Sequence, residues 1–127
     1  MNAAPDPKTP AVEVMNLRKV YGSGRTEIVA ISDASLSIFP GEIVGMFGPS
    51  GSGKSTILTA MALINPPTSG RISIGGTPVL DGPRELVNLR TFRRQNLGFV
   101  FQKANLIPFL TALENVMLPL ELAGQAQ

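Results

Sequence analysis

The sequence predicts an α/β fold whose core is accompanied by a small antiparallel β subdomain. Short β-prone runs separated by turn residues occupy the N-terminal part of the chain, which is typical of antiparallel strands. A glycine-rich turn near position 50 joins a short apolar run to a helical pattern. Strand-like and helical patterns then alternate toward the C-terminus, as they do in α/β proteins.

The antiparallel part is predicted from short runs bounded by turn residues. Residues 12–17 alternate loosely between apolar and polar and are interpreted as an edge strand. The pair Pro40-Gly41 ends a later strand, and Gly75-Gly76 is interpreted as the turn of a hairpin. The other predicted strands are residues 28–31, 34–39, 71–74 and 77–80.

The core is predicted from apolar and helical runs. Residues 42–47 are mostly apolar and too few for a helix, which suits a strand buried on both faces. A helix is predicted from about Lys54 to Ile64, where Asn65-Pro66-Pro67 stops it. The remaining predictions are a helix over residues 84–95, a second buried strand over 97–101, and a helix over 113–123 that contains Pro119.

Length and composition restrict the class of protein. The chain has 127 residues, 43% of them apolar and 16% charged, which indicates one globular domain at most. A net charge of +2 argues against nucleic acid as a partner, and the absence of cysteine excludes disulfide bonds. No run approaches the roughly 20 apolar residues of a membrane-spanning helix. Residues 1–11 hold several prolines and no apolar stretch, so we predict a flexible leader, followed by the domain at residues 12–127.

The most specific pattern is G-x-x-x-x-G-K-[ST], the phosphate-binding P-loop. Its glycines permit unusual backbone dihedrals and let backbone N–H groups approach a phosphate tail closely. The helix that begins near Lys54 directs its free N–H groups and its positive dipole end at the same anion. Lys54 then neutralises the outer phosphates, and the Ser55 hydroxyl is placed for magnesium. The candidate phosphate-binding residues are Gly48, Pro49, Ser50, Gly51, Ser52, Gly53, Lys54, Ser55 and Thr56.

An ordinary glycine-rich turn between a strand and a helix is the alternative interpretation of this stretch. Chance alone would produce the pattern in roughly four of a thousand chains of this length. The pattern also follows a strand-like run and opens a helix, which is the structural context that a P-loop requires. The sequence therefore predicts a phosphate-binding site.

Three features outside the P-loop point to one family. They are Tyr21 upstream of the loop, the run 35–43 that leads into it, and Gly98-Phe-Val-Phe-Gln102 after it. With the P-loop, they make the sequence similar to the N-terminal half of the nucleotide-binding domain of ABC transporters. Residues 105–116 most resemble the group that includes lipoprotein-release and macrolide-export ATPases. The resemblance extends from residue 12 to about residue 124.

The resemblance implies an ABC-type ATPase that binds ATP and Mg²⁺ on a P-loop NTPase core. Tyr21 is then the aromatic residue on which the adenine stacks, and Gln102 reaches the metal and the attacking water. Lys54 and Gln102 are the implied catalytic residues, while Ser55 and Gln102 are the implied magnesium ligands. The implied partners are transmembrane transporter subunits and a second nucleotide-binding domain, as a homodimer or pair, at the cytoplasmic face of a membrane.

The sequence also departs from the family pattern. It has no Leu-Ser-Gly-Gly-Gln signature, no histidine, and no aspartate after Asp81, so the switch histidine and the Asp-Glu pair are missing. Asp81 is a poor substitute, because Pro78, Gly82 and Pro83 around it are typical of a turn. We expect an incomplete fold that lacks the C-terminal half, and a chain that binds ATP without significant hydrolysis.

Two other functions fit a P-loop taken alone. One is a small P-loop kinase, for which Arg90, Arg93 and Arg94 are the only candidates for an acceptor-binding lid. The other is a nucleotide-binding module without catalysis, which acts by interaction.

Overall fold

The structure, a computed structural model, describes residues 6–124 and comprises two compact units, Met1–Leu89 and Arg90–Gln127. Residues 1–5 of the predicted leader lie outside the described residues. The rest of that segment begins with a turn, in which the Thr9 backbone N–H donates to the Asp6 carbonyl at 2.9 Å. The Ala11 carbonyl then accepts a hydrogen bond from the Gly75 N–H at 2.9 Å, so this segment is tied to the first unit.

The first unit is built on a five-stranded antiparallel sheet. Its strands are β1 (Val12–Tyr21), β2 (Ile28–Ile38), β3 (Ser69–Ile74), β4 (Thr77–Asp81) and β5 (Arg84–Glu85), with a 3₁₀ turn at Gly24–Thr26. They lie in the order β2-β1-β3-β4-β5. The antiparallel subdomain and the hairpin around Gly75-Gly76 are confirmed, while β2 is one continuous strand where two were predicted.

β1 lies inside the sheet, so its prediction as an edge strand is wrong. It pairs with β2 on one side and with β3 on the other. Its loose alternation reflects a bulge: the register against β2 shifts between Val14 and Leu17, which are only 1% and 0% exposed. Within the bulge, Asn16 has a φ of 49° and donates its N–H to the Ser35 hydroxyl at 2.8 Å. The bulge lets both apolar side chains enter the core although they are three positions apart.

A short helix, α1 (Lys54–Met61), packs against β1 and β2. It is shorter than predicted, because the chain leaves the helix at Ala62 and Leu63 takes a positive φ of 58°. Burying apolar surface stabilises a fold by roughly 25 cal/mol per Å². Among the described residues, the buried apolar side chains all lie in the first unit: Val14, Leu17, Ile31, Ala60, Leu63, Pro67, Ile72, Ile74, Val79, Leu80 and Leu89.

Two predicted buried strands are absent from the structure. All of residues 42–47 are exposed and form no strand; Ile43 is fully exposed and Phe47 is 94% exposed. Residues 97–101 form no strand either, and Val100 is 94% exposed. Their apolar composition suits burial, but a strand also needs a neighbour for its backbone hydrogen bonds. Within residues 6–124, no strand pairs with either run, which is why both predictions are wrong.

A helix predicted over residues 84–95 begins later, as α2 (Leu89–Asn96). The turn at Gly82-Pro83 folds the chain back, so that Glu85 pairs with Leu80 and Arg84 pairs with Asp81. These two residues therefore extend the sheet as β5 instead of starting the helix.

In the second unit, α3 (Ala112–Leu122) confirms the helix predicted over residues 113–123, with Pro119 inside it. Its N-terminus is closed by a capping box: the Thr111 backbone N–H donates to the Glu114 carboxylate at 2.7 Å, and the Glu114 N–H donates to the Thr111 hydroxyl at 3.2 Å. Hydrogen bonding from the Thr111 backbone N–H, and to a smaller extent with the Thr111 side chain, favours the charged carboxylate of Glu114 and lowers its pKa. No helix within residues 6–124 has the length and apolar character needed to cross a bilayer.

Candidate phosphate-binding site

The P-loop leads directly into α1, and its last glycine sets the entry of the helix. Gly53 is the N-cap, with φ 93° and ψ 6°, and its carbonyl accepts the N–H of Ile57 at 3.0 Å. A Cβ at this position would lie 2.7 Å from the Ala30 carbonyl oxygen on β2. Glycine is therefore required here twice, by the left-handed dihedrals and by the close approach of the strand.

Substituting Gly53 with alanine is expected to destabilise the first unit by roughly 3 kcal/mol or more, since backbone strain adds to a clash with β2. Gly51 is a matched control, because its φ is +80° but nothing lies within 4 Å of a Cβ built there. Gly51→Ala should lose only the roughly 1–2 kcal/mol of left-handed strain. Urea unfolding followed by circular dichroism measures both. If both variants lose the same free energy of unfolding, the contact with β2 does not contribute to stability.

The Lys54 ammonium is held inside the loop. It donates to the carbonyl oxygens of Gly48 at 2.6 Å and Pro49 at 2.7 Å, and to the Ser52 hydroxyl at 3.2 Å. The Ser52 N–H in turn donates to the Pro49 carbonyl at 3.2 Å, which closes a turn within the loop. An ammonium group has three donors, and each has one acceptor in the loop, so a phosphate oxygen that binds Lys54 would replace one of these acceptors. The positive charge is thereby fixed at the start of α1, where the helix dipole also favours an anion.

Beside the loop lies a cavity of about 600 Å³, within the usual range for a small-molecule site. One wall is the P-loop and the first turn of α1, and the other is the beginning of β2. Its lining residues are Ser50, Gly51, Gly53, Lys54, Ser55, Thr56, Ile28, Val29 and Ala30. Six of the nine predicted loop residues line the cavity. The other three, Gly48, Pro49 and Ser52, do not line it but accept hydrogen bonds from the Lys54 ammonium.

The β2 wall of the cavity was missed by sequence reasoning. Ile28 and Val29 are 66% and 45% exposed, although they belong to a strand. No motif marks them, and their only sequence signal is membership of a predicted strand upstream of the loop. In the structure, Tyr21 pairs with Ile28 across the β1–β2 ladder. A prediction of this strand pairing would have placed Ile28 beside the candidate site residue Tyr21.

Tyr21 lies at the end of β1 and is 42% exposed. It is the cross-strand neighbour of the cavity residue Ile28 but does not line the cavity itself. Its hydroxyl accepts a hydrogen bond from the Asn65 side-chain amide at 2.6 Å. The Lys19 ammonium lies 5.2 Å from the centre of its ring. An exposed ring held in this way can offer a face for stacking.

Ser55 is exposed in the first turn of α1 and is one of the two predicted magnesium ligands. It lines the 600 Å³ cavity and also a second cavity of about 310 Å³, together with Val44, Met46 and Leu58. Residues 6–124 contain no group of three or more His, Cys, Asp or Glu that could hold a metal. A hydroxyl oxygen suits Mg²⁺, which usually binds through few protein ligands plus phosphate oxygens. The donor set thus fits a magnesium ion that arrives with a phosphate ligand.

Gln102 belongs to the second unit and lies in the loop between α2 and α3, where it is exposed. Residues 97–101 before it do not form the predicted strand. Its role toward metal and water stays a prediction from the resemblance.

Comparisons with known proteins identify the family. The ABC transporter family matches residues 31–127. The chain is 45% identical to the lipoprotein-releasing system ATP-binding protein LolD of Geobacter metallireducens, over 89% of this chain and 49% of that protein. It is 41% identical to the macrolide export ATP-binding/permease protein MacB of Hyphomonas neptunium, over 92% of this chain and 18% of that protein. The chain thus spans about half the length of LolD and about a fifth of the length of MacB.

Solved structures agree with these matches. The dimeric structure of MJ0796, a bacterial ABC transporter cassette, matches with a TM-score of 0.78 and 40% identity, over 91% of this chain and 48% of that one. A post-hydrolysis state of the same cassette, bound to ADP and Pi, also gives a TM-score of 0.78, at 41% identity. The predicted fold class and the resemblance to lipoprotein-release and macrolide-export proteins are confirmed. The chain therefore belongs to the ABC transporter family.

Proposed function

We propose that this P-loop binds the triphosphate of Mg-ATP, as part of a subunit that powers export or extraction of a substrate at a membrane. One observation carries the proposal: the Lys54 ammonium is fixed 2.6 Å from the Gly48 carbonyl, at the start of α1 and on the wall of a 600 Å³ cavity. Fixed positive charge beside a helix N-terminus favours a polyanion. The ADP and Pi bound in a similar cassette support a nucleotide as the ligand.

Each site residue has a proposed part in phosphoanhydride hydrolysis by the whole transporter. Lys54 stabilises the negative charge of the outer phosphates as it spreads in the transition state. Ser55 would offer its hydroxyl oxygen to Mg²⁺. The family resemblance assigns Gln102 a role toward the metal and the attacking water. A bound magnesium ion would supply positive charge against the phosphates.

The proposed partners follow from the relatives. The similar cassette is dimeric, and MacB joins an ATP-binding part to a permease in one protein. We therefore propose a paired or homodimeric nucleotide-binding domain that works with transmembrane subunits, at the cytoplasmic face of the membrane. Size-exclusion chromatography with and without Mg-ATP tests the pairing.

Base recognition is expected to be loose. A stacking aromatic contacts the face of a base and makes no hydrogen bond to its edge, so Mg-ATP and Mg-GTP should bind within about tenfold, less than 1.4 kcal/mol apart. Tyr21→Ala should weaken both by roughly 5- to 150-fold, since a base–aromatic stack contributes about 1–3 kcal/mol. Tyr21→Phe keeps the ring but removes its hydroxyl, so it should cost much less than Tyr21→Ala.

Titration calorimetry of the 127-residue chain with each nucleotide measures these affinities. Binding of neither nucleotide would overturn the proposed function itself. An unchanged affinity of Tyr21→Ala would remove only the stacking role.

A further inference from the structure

The turn that follows α1 is attached to the end of β1. The Asn65 amide donates to the Tyr21 hydroxyl at 2.6 Å, and the Pro66 carbonyl accepts a hydrogen bond from the Lys19 ammonium at 2.6 Å. Thr68 continues the attachment: its hydroxyl accepts the Val20 N–H at 3.0 Å. These contacts join positions more than 40 residues apart in sequence.

Two of these contacts converge on a single ring. The Lys19 ammonium that binds the Pro66 carbonyl also lies 5.2 Å from the centre of the Tyr21 ring, within the range of a cation–π interaction. Asn65 fixes the hydroxyl end of the same ring. The ring is thus restrained at its tip and supported beside its face, although it remains 42% exposed.

The support of the ring comes from the helix that carries the phosphate site. Lys54 is the first residue of α1, and the Asn65 N–H donates to the Thr59 carbonyl within that helix at 3.2 Å. One short helix therefore places the ammonium at its start and the support of Tyr21 just after its end. This arrangement fixes the spacing between a phosphate site and an aromatic ring.

We propose that Asn65 and Lys19 are positioning residues for the nucleotide base, acting through Tyr21. The inference rests on the proposed binding of ATP and on the stacking role of Tyr21. Restraining the ring before the ligand arrives removes an entropy loss that would otherwise oppose binding. The two residues therefore strengthen binding of the base and leave binding of the phosphates unchanged.

The test compares Mg-ATP with Mg-tripolyphosphate, which offers the phosphates without a base. Asn65→Ala is expected to weaken ATP about 2- to 5-fold, and Lys19→Met by a similar factor. Neither should change the affinity for tripolyphosphate, and Lys19→Arg, which keeps a cation for the ring, should recover the loss. Asn96→Ala and Lys8→Met are matched controls: Asn96 also donates its side-chain amide, to the Phe92 carbonyl at 2.8 Å, and Lys8 is exposed.

Fluorescence and a double-mutant cycle separate positioning from general destabilisation. Tyr21 is the only tyrosine and the chain has no tryptophan, so intrinsic fluorescence reports on this ring alone. Its emission should change when ATP binds and stay constant with tripolyphosphate. Asn65→Ala should have no further effect on ATP affinity in the Tyr21→Phe background, because both changes remove the same hydrogen bond.

The results distinguish the two levels of the proposal. An unchanged ATP affinity in Asn65→Ala and Lys19→Met, or equal losses for ATP and tripolyphosphate, would overturn the positioning role while the phosphate site stands. If the unmodified chain binds neither ligand, the proposed function fails and this inference fails with it.

Discussion

Replacing Lys54 with alanine is expected to weaken binding of Mg-ATP by roughly 10- to 150-fold. A hydrogen bond between an ammonium and a phosphate contributes about 1.5–3 kcal/mol net, and this range converts to those factors. The structure adds a second reason, because the same ammonium holds the carbonyls of Gly48 and Pro49 and the Ser52 hydroxyl. The variant therefore loses both the charge and the internal ties of the loop.

Calorimetry on the purified variant measures the change, with two controls. Lys8→Ala removes an exposed lysine outside the site and should leave the affinity unchanged. Ser52→Ala removes one tie of the loop and keeps the charge, so it should cost less than about threefold, as one exposed hydrogen bond contributes about 0.5 kcal/mol. Equal affinities of the unmodified chain and Lys54→Ala would exclude this loop as the nucleotide site.

The second large effect is expected in turnover: the 127-residue chain should bind Mg-ATP but release phosphate negligibly. Hydrolysis needs a positioned base for the water and a surface that closes over the γ-phosphate. The sequence has no histidine and no Leu-Ser-Gly-Gly-Gln signature. Asp81 sits in β4 with its carboxylate 3.5 Å from Arg71. The Glu114 carboxylate accepts the Thr111 N–H in the capping box, and its lowered pKa makes it a weaker base.

Phosphate release at saturating Mg-ATP tests this expectation. Lys54→Ala, assayed in parallel, subtracts the contribution of contaminating ATPases. Turnover in the usual enzyme range, about 1–10³ per second, that disappears in this variant would contradict the prediction. It would mean that a water-activating group is present among residues that the family resemblance does not mark.

The elements that were predicted correctly depend on local sequence. Gly53, Gly75 and Gly76 all have positive φ, a conformation that glycine adopts readily. The turns they form could therefore be predicted from the residues themselves, without knowledge of distant partners. α3 was predicted well because its hydrophobic spacing is short-range, and its capping box lies within four residues. The P-loop residues of the candidate site are also specified by one short motif, and their role in phosphate binding stays a prediction.

The elements that were missed depend on distant partners. Whether residues 12–17 form an edge or an inner strand is decided by β3, which lies more than 50 positions later. Residues 42–47 have the composition of a buried strand, yet composition does not supply the neighbour that a ladder needs. The bond from Asn65 to Tyr21 spans 44 positions, so no local pattern could have indicated it.

The exposed run at residues 42–47 has a thermodynamic consequence for the loop that follows it. The P-loop is attached on one side to α1, which packs on the sheet, and on the other side to a run that belongs to no strand. A neighbouring strand that pairs with this run would hold the second end of the loop in place. By linkage, such pairing would tighten nucleotide binding, and the nucleotide would tighten the pairing by the same factor. Strand addition and nucleotide affinity are then two readouts of one equilibrium.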